Sequence, residues 1–142
     1  MNAKLLLVLT RCYTTICREI EPSLKEEGLT LSQFYALEAL LNFKELSIKQ
    51  LTKKSFSTSG TMTVVLSNLE KKGYVKRVEN QLDKRENFIC LSRIGEEKII
   101  QVLSYLGTKL SDEFDVLSKT EKIITIELLK KLGKGGQNNT TS

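Results

Sequence analysis

Three short signatures of one kind punctuate this chain and constrain its fold more than any other feature. Thr30 with Gln33, Ser47 with Gln50, and Ser118 with Glu121 each place a hydroxyl three residues before a Gln or Glu. In that spacing the hydroxyl accepts the backbone N–H at the third helical position. The longer side chain reaches back to the N–H of the cap. Each pair marks a helix start, so much of the chain reads as a succession of separate helices. Leu29 and Phe34 flank the first box at the positions of a hydrophobic staple.

Apolar spacing fills in the rest. Leu5, Leu9, Cys12/Tyr13, Ile16, Ile20 and Leu24 recur at steps of three or four and predict a helix over 5–27. Pro22 inside it predicts a kink or break, and Gly28 a stop. Phe34, Leu37 and Leu41 give the second helix an inward face. A short third helix follows through Ile48, Leu51 and Thr52, with Phe56 closing the core at its end. Residues 57–72 form a fourth, capped by Ser57 or Ser59, burying Leu66 and Leu69 with Met62 or Val65. Lys71, Lys72 and Gly73 end it, as suits the helix dipole and a left-handed stop.

The period then becomes extended. Residues 74–78 (YVKRV) and 87–91 (NFICL) are β-rich runs. The polar stretch 79–86 between them reads as a long exposed hairpin tip. Ser92 caps a further helix over 94–115, in which Ile99, Leu103, Leu106, Leu110 and Phe114 hold helical spacing. The box at Ser118 opens a last helix over 119–132 through Ile124, Leu128 and Leu132. Residues 134–142 are Gly-, Asn- and Thr-rich and are expected to be a disordered tail.

Composition excludes several functions. The 142 residues contain no His and no Trp. Without His there is no His–Ser or His–Cys nucleophile pair and no His-ligated metal. There is no P-loop, no GxGxxG and no metal-ligand spacing, so no enzyme, cofactor or metal is expected. The three cysteines, 12, 17 and 90, are odd in number and form no CxxC. That suits a reducing, cytoplasmic setting. The apolar run Leu5–Leu9 is too short to span a membrane, and Arg11 ends it too early for a signal peptide.

Helix, helix, hydroxyl-rich helix, basic hairpin is the element order of a winged helix-turn-helix. The third of these helices enters the major groove and the hairpin lies along the backbone or minor groove. The fold class expected is therefore mainly α with a small β-hairpin wing, flanked by a helical dimerisation region at both ends. Small hydroxylated residues at the start of the hydroxyl-rich helix let its backbone approach DNA and bond phosphates and base edges. A solvated polar helix start would look the same, and charge placement decides between them. From Lys44 to Arg93 there are 11 Lys or Arg and 5 Asp or Glu, an excess of six in a chain whose net charge is +5. The basic excess thus lies where phosphate neutralisation needs it.

Three stretches resemble the MarR family (multiple antibiotic resistance regulators). GLTLSQF at 28–34 resembles the start of the family's second helix. SGTMT at 59–63 with LSNLEKKGYV at 66–75 is similar to its recognition helix and exit. Asp83-Lys84-Arg85, then ICLS at 89–92 and Gly95, resembles its wing. Together they cover about Gly28 to Glu97.

The resemblance implies a homodimer on a pseudo-palindromic double-stranded DNA operator. Residues 1–28 and 93–133 would form the dimerisation region, and residues 29–92 the winged unit. Apolar surface on both terminal segments, more than a small winged unit can bury, asks for the same partner. The family's wing arginine matches Arg85, which enters the minor groove, and Asp83 matches the acid that orients it. Thr58, Ser59, Thr61, Thr63 and Asn68 are candidates for base and phosphate contacts. Lys53, Lys54, Lys72, Lys76, Arg77 and Lys84 are candidates for phosphate. With no Arg or Gln on the recognition helix, shape readout of A·T-rich DNA gains weight over reading of guanine.

Family members are most often repressors released by a small lipophilic or aromatic ligand. Cys12, Tyr13, Ile16 and Tyr35 are candidates to line such a pocket, and otherwise are ordinary core residues. Thiol-based redox sensing is the alternative. The peroxide-sensing branch carries a Cys early in the first helix, and the matching place here falls near Leu6. Cys12 and Cys17 lie about 140° apart around a helix and do not pair within it. A winged-helix module that binds protein without reading DNA is the other alternative.

Overall fold

The computed structural model describes residues 1–55 and 57–137. Phe56, expected to close the core after the third helix, and residues 138–142 lie outside the described residues. The elements are α1 (Asn2–Glu26), α2 (Leu31–Phe43), β1 (Glu45–Ser47), α3 (Ile48–Lys54), α4 (Ser59–Lys71), β2 (Val75–Glu79), β3 (Asn87–Leu91), α5 (Arg93–Lys109), α6 (Ser111–Phe114) and α7 (Lys119–Gln137). This is a mainly helical chain with a small antiparallel sheet, a winged helix-turn-helix.

All three capping boxes form. Thr30 Oγ1 accepts from Gln33 N and Gln33 Oε1 from Thr30 N, both at 3.1 Å. Ser47 and Gln50 repeat the exchange at 3.1 and 2.9 Å. Ser118 and Glu121 do so at 3.2 and 2.7 Å. Each satisfies two N–H groups that a helix start leaves without partners.

α1 runs through Pro22 without a break. Ile20 and Leu24 on either side are buried. Just beyond, Tyr105 Oη donates to Glu26 Oε2 at 2.5 Å and Lys98 Nζ to Glu27 Oε2 at 3.0 Å, tying the helix end to α5. These anchors hold the last turn, just beyond the point where Pro22 cannot donate a backbone bond to Arg18.

The core of residues 1–109 is set by fully buried side chains: Leu24 from α1, Leu37 and Leu40 from α2, Leu51 from α3, Met62, Leu66 and Leu69 from α4, Ile89 from β3, and Ile99 and Val102 from α5. In α2 the inward stripe is Phe34, Leu37 and Leu40, with Leu41 only half-buried.

The hairpin is the expected one, with Val75 opposite Leu91 and Glu79 opposite Asn87. It gains a third strand the sequence did not reveal. β1 adds to β3, with Leu46 opposite Ile89, giving the order β1-β3-β2. Three residues are too few to show an alternating pattern, and β1 exists through pairing.

The helix expected over 94–115 ends at Lys109. Gly107 and Thr108, both weak helix formers, fall in its last turn. The segment from Leu110 onward is a second compact unit holding α6 and α7. α7 continues to Gln137, past the point where the tail was expected to begin.

Candidate nucleic-acid interface

The site is built on α4. Its start is capped by Thr58, which lies between the two serines expected to do so. Thr58 Oγ1 accepts from Thr61 N at 3.3 Å and lies 3.0 Å from Thr61 Oγ1. Thr63 Oγ1 donates to Ser59 O at 3.1 Å. Met62, Val65, Leu66 and Leu69 are buried, which turns Ser59, Gly60, Thr61, Thr63, Val64, Ser67 and Lys71 to the outside. At 100° per residue these fall on one broad face that carries no charge until Glu70, which is paired with Arg77, and Lys71 in its last turn.

A groove of about 470 Å³ runs between this face and the start of α2, lined by Thr30, Ser32, Gln33, Gly60, Thr61, Val64, Val65 and Asn68. The sequence reading identified Thr61 and Asn68 there. It missed Val64 and Ser32, whose only signal is that the helical period leaves them off the buried stripe.

The wing supplies the second part. Asn80 Oδ1 accepts from Leu82 N at 2.9 Å and Asp83 N at 3.4 Å, folding the tip back on itself. Asp83 Oδ1 then accepts from Arg85 N at 3.0 Å and Arg85 Nε at 3.3 Å. The expected pair is therefore formed, and the Arg85 side chain remains 92% exposed. Asn80 is the tip residue the sequence reading overlooked. An Asn two residues before a turn was its signal.

The basic residues divide. Lys53, Lys76 and Lys84 are exposed. Lys54 Nζ sits 4.6 Å over the Phe43 ring. Two others hold the unit together. Arg77 donates to Glu70 Oε1 through Nη2 at 2.8 Å and Nε at 3.0 Å, fixing β2 to α4. Lys72 Nζ donates to the Gly28 carbonyl and, at 3.2 Å, to Gln33 Oε1, joining the end of α4 to the α1–α2 turn.

Behind α4, Ser92 Oγ donates to Gly73 O at 2.5 Å and accepts from Gly95 N at 3.1 Å. That clamps the start of α5 to the turn after the recognition helix.

Of the four pocket candidates, Tyr13 and Tyr35 come together, their hydroxyls 3.4 Å apart. Tyr35 is pushed well above the ordinary phenol value by burial, by the Tyr13 hydrogen bond and charge, and by Cys17. Cys17, not Cys12, is the thiol beside Tyr35. Cys12 is exposed, and Ile16 is half-buried. Among the described residues no cluster of three metal-ligating side chains occurs, and no helix is long and apolar enough to cross a membrane.

The arrangement presents hydrogen-bonding groups and one apolar group, Val64, on a single helix face of a unit that also carries the exposed cations Lys53, Lys76 and Lys84. Known proteins resemble the chain in sequence and in fold. The MarR family model matches residues 27–86. The transcriptional regulator SarZ of Staphylococcus haemolyticus is 34% identical over 118 residues, spanning 83% of this chain and 79% of that protein. The crystal structure of transcriptional regulator PA4135 matches with a TM-score of 0.81 at 25% identity, over 92% of this chain and 96% of that one. A mutant MarR from E. coli complexed with operator DNA matches in fold with a TM-score of 0.76 at 24% identity, over 91% and 93% of the two chains. This chain belongs to the MarR family and is a DNA-binding transcriptional regulator, not an enzyme.

Proposed function

We propose that two copies of this chain form a homodimer that binds a pseudo-palindromic operator, represses transcription in the cytoplasm, and is released by a small lipophilic or aromatic ligand. The observation that carries the DNA half of this reading is the outward face of α4. It is small, hydroxylated and uncharged, and it lies beside a wing whose Arg85 is held ready by Asp83. In this reading the outward residues of α4 meet the major groove. Lys53, Lys76 and Lys84 meet phosphate, and Arg85 enters the minor groove. That a mutant MarR of the same fold is complexed with operator DNA supports the DNA half of this reading.

The dimer is supported by apolar side chains left exposed on the terminal helices. These include Leu5, Leu6 and Val8 of α1, and Ile124, Leu128 and Leu132 of α7. Faces of that kind on a monomer mark an interface. The paired Tyr13 and Tyr35 hydroxyls support a ligand with an aromatic body and a polar group. Such a ligand acts by favouring one of two dimer geometries.

Hydroxyl-radical footprinting of a bound operator tests the reading. Two protected blocks of mirror-related sequence, centred about one helical turn or roughly 34 Å apart, are expected. A single asymmetric block would contradict the dimer.

A further inference from the structure

Two residues on the outward face of α4 have no explanation inside the chain. Val64 is 60% exposed, although valine is a poor helix former that gains its place in helices by burial. Gly60, one turn earlier, shows no left-handed φ, and a Cβ there would meet nothing within 4 Å. Alanine would suit the first turn of this helix better, by up to about 0.5–1 kcal/mol, the figure for a helix interior. The chain forgoes that stability without any steric need of its own, so the need lies in what approaches from outside.

The geometry says what that is. Gly60, Val64 and Lys71 lie within about 40° of one line along α4, opposite the buried Met62, Leu66 and Leu69. Thr61 and Asn68 flank Val64 on the groove side. The major-groove edges of the bases offer hydrogen-bond groups everywhere but only one apolar group, the C5-methyl of thymine. A valine at the centre of a polar face is complementary to that methyl. A missing Cβ one turn away lets the helix start sink far enough for contact. No Arg, Lys or Gln lies between Ser59 and Asn68 to bond guanine bidentately, whereas the Asn68 carboxamide suits adenine.

We propose that Val64, brought close by the bare backbone at Gly60, reads the C5-methyl group of a thymine in each operator half-site. The inference rests on the operator-binding reading above and names the base that reading leaves open.

The test replaces each operator thymine in turn by deoxyuridine, which removes only the methyl group, and measures affinity for the wild type and for Val64→Ala. One thymine per half-site should weaken wild-type binding about fourfold when its methyl is removed, the worth of one buried CH₂. Val64→Ala should bind the intact operator correspondingly less well and be indifferent to deoxyuridine at that position. Gly60→Ala should melt above the wild type yet bind less tightly, which separates lost contact from lost folding.

Operator binding that ignores deoxyuridine everywhere, or responds equally in wild type and Val64→Ala, overturns the inference and leaves the operator reading standing. Gly60→Ala binding as tightly as wild type overturns the role of Gly60. Absence of any preference for operator over random DNA overturns both the operator reading and the inference.

Discussion

Arg85 owes its position to one oxygen. Asp83 Oδ1 accepts from both its backbone N–H and its Nε. The pair is solvent-exposed, so it adds little to stability, about 0–1 kcal/mol. Arg85→Ala should therefore leave the melting temperature unchanged. It should weaken operator binding and lower the slope of log K against log salt by about one, the signature of one lost phosphate-region cation. An unchanged slope would remove Arg85 from the interface.

Glu38 makes a different prediction. Burial raises its carboxyl above the ordinary value, against a smaller lowering by the Asn42 side chain. The folded state thus holds this proton more tightly than the unfolded chain does. Stability falls as pH rises from 4.5 through the raised value, and the cost of the ionised form persists at neutral pH. Glu38→Gln should raise the melting temperature at pH 7, and the gain should vanish below about pH 4, where both states are protonated. A gain independent of pH would contradict this origin.

Residues whose role depends on near neighbours were legible in the sequence: the capping boxes, the Asp83–Arg85 pair, the Gly73 stop. Roles set across the fold were not. The anchoring of Lys72 to Gly28 and Gln33, 44 and 39 residues away, has no sign in the sequence around it. Cys17 reads like Cys12 until Tyr35 is placed next to it.

At the scale of elements, the exit from the recognition helix is the most tightly specified part. Gly95 lies in the first turn of α5, against the backbone of Tyr74. A Cβ there would come within 1.9 Å of the Tyr74 carbonyl oxygen. That atom cannot turn aside as a side chain could, since it also accepts from Ser92 N at 2.9 Å. Gly95→Ala should cost at least about 2 kcal/mol of stability, from overpacking against fixed backbone, seen as a lower midpoint in urea. A variant as stable as the wild type would show that α5 can shift away from the β2 entry. The sequence marked Gly95 only as part of a resemblance, and the close approach supplies the physical reason.

Element boundaries were legible where a cap or glycine set them and failed where packing did. β1 forms only by pairing with β3. The end of α5 at Lys109 interrupts an apolar spacing that runs on through Leu110 and Phe114. Pro22 predicts a kink or break because its removal of a backbone bond is local; α1 continues through it, and the ties from Tyr105 and Lys98 that hold the helix end are distant in sequence.

For the whole molecule, charge and apolar surface are segregated in sequence. The basic excess sits between Lys44 and Arg93, and most of the exposed leucines and isoleucines sit on α1 and α7, with Leu82 on the wing and Ile94, Ile100 and Leu103 on α5 as exceptions. In the proposed dimer, one surface of such a chain meets the polyanion and the other meets its own copy. The affinity then has two parts: a salt-sensitive term from phosphate neutralisation and a sequence-sensitive term from α4. Both should be present in one binding event. The most direct measurement is selection of bound fragments from random DNA at two salt concentrations. An enriched inverted repeat, rich in A·T pairs, whose affinity falls steeply as salt rises, is the expected result. A folded dimer that enriches no sequence at either salt concentration would contradict it.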